Sequence, residues 1–196
     1  MARTGRRPGN QDTREAILAA ARKAFAERGF DGASIRAIAT SAGVDPALVH
    51  HYFGAKDQLF VETMQLPVNP ADFMPKVIEG GLDGAGERLM RTFLGVWDSP
   101  AGASLAALVR SALQHDWSAR MLREFLLTQI LRRAMKEFGV DPAEAPQRSA
   151  LVASQMIGLA MVRYIVKLEP VASMPADELV LAIAPNIQRY LVEPLD

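Results

Sequence analysis

The stretch Ser34-Ile35-Arg36-Ala37-Ile38-Ala39-Thr40-Ser41-Ala42-Gly43-Val44-Asp45-Pro46-Ala47-Leu48-Val49-His50-His51-Tyr52-Phe53 leaves its backbone few choices. Ser34 is a good helix N-cap, and Ile35, Ile38, Ala39 and Ala42 then recur at helical spacing. Gly43 falls just past the last periodic residue, where a left-handed conformation favours glycine. Asp45 caps a second helix, with Pro46 at the first position, where proline loses no needed donor. Val49 and Phe53, one turn apart, face inward with Val44 and Ile38, whereas Leu48, His50, His51 and Tyr52 mostly face outward. Spacing alone fits two structures. One is a helical hairpin inside a core; the other is a helix-turn-helix that presents its second helix to the DNA major groove.

The rest of the chain also reads as helix. A first helix runs from about Asp12 to Arg28, with Ile17, Leu18, Ala21 and Phe25 on its buried face, a capping box from Asp12 to Glu15, and Gly29 as its stop. Past Gly54, a fourth helix opens at Lys56 and carries Leu59, Phe60 and Met64. Pro67, Asn69 and Pro70 mark a boundary, dividing the chain into a basic arm (1–11), a first domain (12–66) and a second domain (67–196). Helices are expected from Pro70 to Gly80-Gly81 and over 87–97, 100–115, 118–138, 150–168 and 175–191, the last kinked at Pro185. No segment alternates like a strand, so the fold class is all-α.

Composition sets outer limits. Lys+Arg and Asp+Glu balance at 22 each, so net charge neither supports nor opposes nucleic-acid binding, which depends on local patches. The first eleven residues carry Arg3, Arg6 and Arg7 and no acid, and basic arms beside helix-turn-helix domains reach phosphate or the minor groove; a solvated tail is the alternative. Cysteine is absent, which excludes disulfides, thiol catalysis and cysteine-ligated metals. No uninterrupted apolar run is long enough to span a membrane, and the first residues lack the apolar core of a signal peptide, so a soluble cytoplasmic protein without a membrane partner is expected.

The flanks decide between the two structures. Thr13-Arg14-Glu15-Ala16-Ile17-Leu18-Ala19-Ala20-Ala21-Arg22-Lys23-Ala24-Phe25-Ala26-Glu27-Arg28-Gly29-Phe30 upstream and Tyr52-Phe53-Gly54-Ala55-Lys56-Asp57-Gln58-Leu59-Phe60 downstream closely resemble the N-terminal DNA-binding domain of the TetR family of bacterial transcriptional regulators. The resemblance covers residues 12–64. It implies a three-helix helix-turn-helix domain followed by a larger helical ligand-binding and dimerisation domain. It also implies ligand-controlled repression. A homodimer would set two reader helices about 34–36 Å apart on a near-palindromic double-stranded operator, and a small apolar effector would favour a state with the wrong spacing. No cofactor is expected.

On this basis Arg6, Arg7, Ser34, Arg36, Asp45, Pro46, Ala47, Leu48, His50, His51, Tyr52 and Lys56 are the candidate DNA contacts. Ser34 at a helix N-terminus offers donors to phosphate. The resemblance assigns phosphate contacts to Tyr52 and Lys56 and a DNA contact to Arg36, the strongest hydrogen-bonding candidate for a guanine edge. The reader face departs from the family pattern: Leu48 stands where threonine is frequent and His50 where tyrosine is frequent. Ala47 and Leu48 suit thymine methyls. The adjacent His50 and His51 point to different faces, with no acid at helical spacing, and are not expected to hold metal.

In the second domain, Phe93, Trp97, Trp117, Met121 and Phe125 are candidate pocket residues, although each also suits plain core packing. Arg110 and Arg163 interrupt apolar stretches, where either could meet a ligand carboxylate, an acid or solvent. The stretch 150–168 is apolar nearly all round and so must be buried all round, either as a central helix or where it meets its copy in a four-helix bundle. The two-fold interface is the favoured reading, with Leu151, Ile157, Met161, Tyr164, Leu179, Ile183 and Ile187 at it. Competing readings are a helical enzyme, for which Trp97-Asp98, His115-Asp116 and Glu124 form no known catalytic spacing, and an adaptor that binds a partner protein.

Overall fold

The computed structural model describes residues 10–195, so Arg3, Arg6 and Arg7 of the expected arm lie outside the described residues, while Asn10 and Gln11 belong to the first helix. The described residues form α-helices and two π-helical turns, without strands. Helix α1 (Asn10–Gly32) begins two residues before the expected start, so Asp12 occupies the first turn, where a carboxylate meets the positive end of the helix dipole, and is not the cap. Gly29, at φ 70° and ψ 176°, breaks α1 into a long helix and a short corner. The reader pair is α2 (Ile35–Ala42) and α3 (Pro46–Phe53). Ser34 Oγ accepts from the Ala37 amide at 3.2 Å, and Asp45 Oδ1 accepts from the Ala47 amide at 2.7 Å. Gly43 closes α2 in the left-handed region, its N–H donating to Thr40 O at 3.2 Å while Val44 N–H donates to Ala39 O at 3.0 Å.

Helix α4 (Lys56–Met64) completes the reader core. Ile17, Phe25, Ile38, Val49, Leu59 and Phe60 are fully buried there, and Phe25 meets Phe60 edge-on at 4.8 Å between centroids.

The body consists of α5 (Pro70–Ile78), α6 (Ala85–Trp97), α7 (Gly102–Gln114), α8 (Asp116–Phe125), α9 (Arg132–Glu137), α10 (Ala145–Ala160) and α11 (Ala176–Val192). Its core is built on Met74, Met90, Leu94, Met135, Leu179 and Ile187. Helix α6 lies against α11 closely enough that a Cβ on Gly86 would come within 2.5 Å of Ala184 O, and the Gly86 N–H donates to Gln188 Oε1 at 2.8 Å. Arg148 caps the far end of α11, donating to Tyr190 O at 2.8 Å and Glu193 O at 2.9 Å.

The helix expected over 118–138 is one rod from 116 to 137, with a π-helical turn at Leu126–Leu131 between α8 and α9. A second π turn, Met161–Val166, extends α10. The stretch 145–166 has the length and mean hydropathy (1.5) of a membrane span. It nevertheless carries Arg148 and Arg163, each of which donates through Nη1 to backbone carbonyls of neighbouring segments.

Burial all round is not what one chain shows. Val152, Leu159 and Ala160 face the body core, while Ile157 is 47% exposed. On α11, Leu181 is 76% exposed. The expected interface needs correction at two positions: Leu179 and Ile187 fill their own chain's core and are closed to a second copy. Leu151, Met161, Tyr164 and Ile183 are half-buried.

Candidate functional site

The reader face carries its side chains on the outer surface of α2 and α3. Arg36, Ala47, Leu48, His50 and His51 are exposed, Pro46 and Tyr52 are half-buried, and the His51 and Tyr52 rings meet edge-on at 5.5 Å. His50 Nδ1 lies 2.9 Å from Gly54 O. A carbonyl only accepts, so Nδ1 carries the proton and, in the neutral ring, Nε2 is left as an acceptor. An acceptor on the reader helix suits the amino group of adenine or cytosine. Lys56 Nζ lies 4.5 Å from the Phe30 ring centroid and 3.5 Å from Asp31 O, so its charge sits at the short corner of α1 that follows Gly29.

That corner is also held from the body. Glu124 Oε2 on α8 accepts from the Phe30 amide at 3.3 Å, and Arg132 lies 3.4 Å from Asp31 Oδ2. Met121 and Phe125, also on α8, pack into the reader core with Phe25 and Phe60. The rod from 116 to 137 is therefore part of both cores, because its C-terminal end supplies Ala134, Met135 and, just beyond, Phe138 to the body.

Beside this rod lies a chamber of about 240 Å³. Its wall includes Phe93 and Trp97 from α6, Leu122 and Phe125 from α8, Leu126, Ile130 and Leu131 from the π turn, and Val152, Met156 and Ile157 from α10. Among the described lining residues Thr92 alone carries a side-chain hydroxyl, and none is charged. An apolar cavity of about 150 Å³ is enough to hold benzene, so the space suits an apolar molecule and is hostile to an ion. The π turn Leu126–Leu131 supplies part of its wall, and such turns recur at functional sites in helical proteins.

Of the pocket residues expected from the sequence, Phe93, Trp97 and Phe125 line the chamber. The other four lie elsewhere. Met121 is buried in the reader core, Trp117 is 43% exposed in the first turn of α8, and Arg110 faces outward on α7. Arg163 is turned into the loop after α10, donating to Val171 O at 2.9 Å and Met174 O at 2.7 Å, with Nε 4.0 Å from Asp98 Oδ1. Its guanidinium holds that loop through Nη1, and Arg163 is not among the residues that line the chamber. Leu122 and Leu126, apolar residues of the same stretch that the sequence also marks, line the chamber too, together with Ile130, which the sequence does not single out. Their four-residue spacing was visible, but it is the same signature that marks an ordinary core face.

Trp97 connects the chamber wall to a polar cluster. Its ring stacks on Tyr164 at 4.9 Å, and Tyr164 Oη donates to Asp98 Oδ1 at 2.8 Å. Burial first, and then the bond to Asp98, push the Tyr164 phenol well above the usual tyrosine range. Asp98 and Glu124, two of the groups weighed for catalysis, thus have structural partners. Among the described residues no cluster of three or more metal-ligating side chains occurs.

Residues 17–63 match the family model for bacterial regulatory proteins of the tetR family, and residues 83–191 match that for the tetracyclin repressor-like C-terminal domain. Over 52 residues the chain is 42% identical to the HTH-type transcriptional regulator BetI of Rhizobium meliloti (strain 1021), covering 26% of this chain and 26% of that protein. The chain thus spans about a quarter of the length of the curated relatives it matches. A TetR-family regulator from Streptomyces coelicolor A3 is 39% identical, covering 95% of this chain and 98% of that one, with a TM-score of 0.46. A transcriptional regulator from Rhodococcus sp. Rha1 is 26% identical, covering 92% and 99%, with a TM-score of 0.46.

Proposed function

The chain belongs to the TetR family of bacterial transcriptional regulators, and from that premise we propose that it is a cytoplasmic, homodimeric repressor released from a near-palindromic operator by a small apolar molecule bound in the chamber. The observation that carries this reading is Phe125. Its side chain packs into the reader core and also lines the chamber. A ligand there presses on a residue that seats the DNA-binding domain, so the two occupancies are thermodynamically linked. Glu124, one residue earlier, ties the same helix to the corner at Phe30.

On the DNA side, Ser34, Tyr52 and Lys56 position the domain on phosphate, and Arg36 with His50 reads base edges. Arg36 hydrogen-bonds guanine and His50 Nε2 accepts from an amino group, while Ala47 and Leu48 meet thymine methyls. The dimer forms through the exposed faces of α10 and α11, around Ile157 and Leu181, with Leu151, Met161 and Ile183 at the margins.

Selection of bound fragments from a random duplex library at fixed salt tests this reading. The expected product is an inverted repeat with half-sites about one turn apart. Arg36→Ala should cost about 1–3 kcal/mol and relax one position in each half-site. Absence of enrichment at low salt by a folded dimer would remove the DNA-binding reading.

A further inference from the structure

The chamber adjoins a second space whose chemistry is different. A cleft of about 590 Å³ lies between the reader domain and the body, lined on one side by Arg14 and Glu62 and on the other by Asn69 and Asp72. Leu66, Val68, Phe73 and Val96 line both spaces, so cleft and chamber share a wall. A molecule that parted these four side chains would have one end among apolar side chains and the other among ionisable ones.

The charges in the cleft do not cancel. Its ionisable residues are Arg14, Glu62 and Asp72. Arg14 Nη2 is 2.6 Å from Glu62 Oε2, and its guanidinium lies 5.1 Å from the Phe53 ring centroid. Asp72 forms no ion pair among the described residues. The cleft thus holds one carboxylate more than it holds cations, while the chamber wall holds no charge at all.

We propose that the effector is a cationic amphiphile, with an apolar body in the chamber and an ammonium-type head in the cleft between Glu62 and Asp72. This rests on the reading of the chamber as the effector site. An anionic head would be repelled by the cleft's excess carboxylate, and a neutral head offers that carboxylate at most a hydrogen bond, without the charge attraction. The Arg14–Glu62 pair joins α1 to α4. A cationic head competes with Arg14 for Glu62, so binding acts on the reader domain at a second point besides Phe125.

The test is calorimetric titration of the full chain with 1-decanol, decanoate and decyltrimethylammonium, each below its micelle-forming concentration. The cation is expected to bind about tenfold more tightly than the alcohol, as suits one charge-assisted contact, with decanoate the weakest. A Glu62→Gln, Asp72→Asn double variant should remove the cation's advantage and leave decanol affinity unchanged. Both side chains are exposed, and circular dichroism checks that the variant is folded. Equal affinities for the three heads, tightest binding of decanoate, or a cation preference that survives in the double variant would each overturn the head-group assignment while leaving the chamber in place. Binding of none of the three would remove the chamber reading and the assignment with it.

Discussion

In the reader domain Phe25, Phe30 and Phe60 close on one another at 4.8–6.0 Å around fully buried Ile17, Ile38 and Leu59, whereas the body keeps a chamber of about 240 Å³ beside its own buried core. The two packings suit two tasks. Base edges are distinguished by hydrogen bonds that fail when misplaced, so a helix that reads them needs a rigid seat. A site that responds to a small molecule needs space that the molecule fills, together with a wall shared with whatever must move. Here the shared wall is α8 and its π turn.

The contrast is broken most directly by truncation on each side. Phe25→Ala should cost about 3–5 kcal/mol in urea unfolding, because the closed core cannot collapse onto the cavity. Phe93→Ala borders space that is already empty, so fewer contacts are lost and the cost should be clearly smaller. Equal losses would mean that the two cores are packed alike. The opposite experiment fills the chamber. Ala153→Phe should abolish decanol binding and keep DNA affinity, with stability altered by no more than about 1–3 kcal/mol. Binding that persists in this variant would place the ligand elsewhere.

The shared helix is probed by Glu124. Removing the acceptor for the Phe30 amide with Glu124→Ala should cost about 1 kcal/mol and weaken the effect of chamber occupancy on DNA affinity, measured by anisotropy of a labelled operator. Glu124→Gln keeps an acceptor and should restore the coupling. Undiminished coupling in the alanine variant would show that Glu124 takes no part in the connection.

The smallest effect belongs to the cluster behind Trp97. The Tyr164 phenol is held protonated above the range in which an unfolded tyrosine ionises, near pH 10. The unfolded chain therefore loses this proton first. The stabilisation is fully present below about pH 10 and is lost as pH rises through the folded value. Stability should be flat in this respect from neutrality upward and fall above about pH 10, and Asp98→Asn should make the fall shallower. Absorbance titration should show one of the three tyrosines ionising last.

The reader half was legible for a local reason. A cap at Ser34, a left-handed residue at Gly43 and a capped proline start at Asp45-Pro46 act over three or four residues, and their types name their positions. The same holds for the buried faces, where Ile17, Leu18, Ala21 and Phe25 are all inside. The body was less legible because its apolar residues have more than one use. Met121 and Phe125 stand one turn apart on α8; Met121 fills the reader core, while Phe125 also reaches the chamber. Leu179 and Leu181 stand two apart on α11, and one is core while the other is 76% exposed.

What the sequence determined by itself is therefore helicity, the reader motif and the family, all of which depend on residue types at short spacing. Where the empty space lies was decided only by tertiary structure. A cavity is what packing between distant segments leaves unfilled, and no residue encodes it alone. The same is true of Arg163, an interruption in an apolar run that became a clamp on the carbonyls of Val171 and Met174 once the loop folded back. Charge type is written in the chain, but its partner is chosen by the fold.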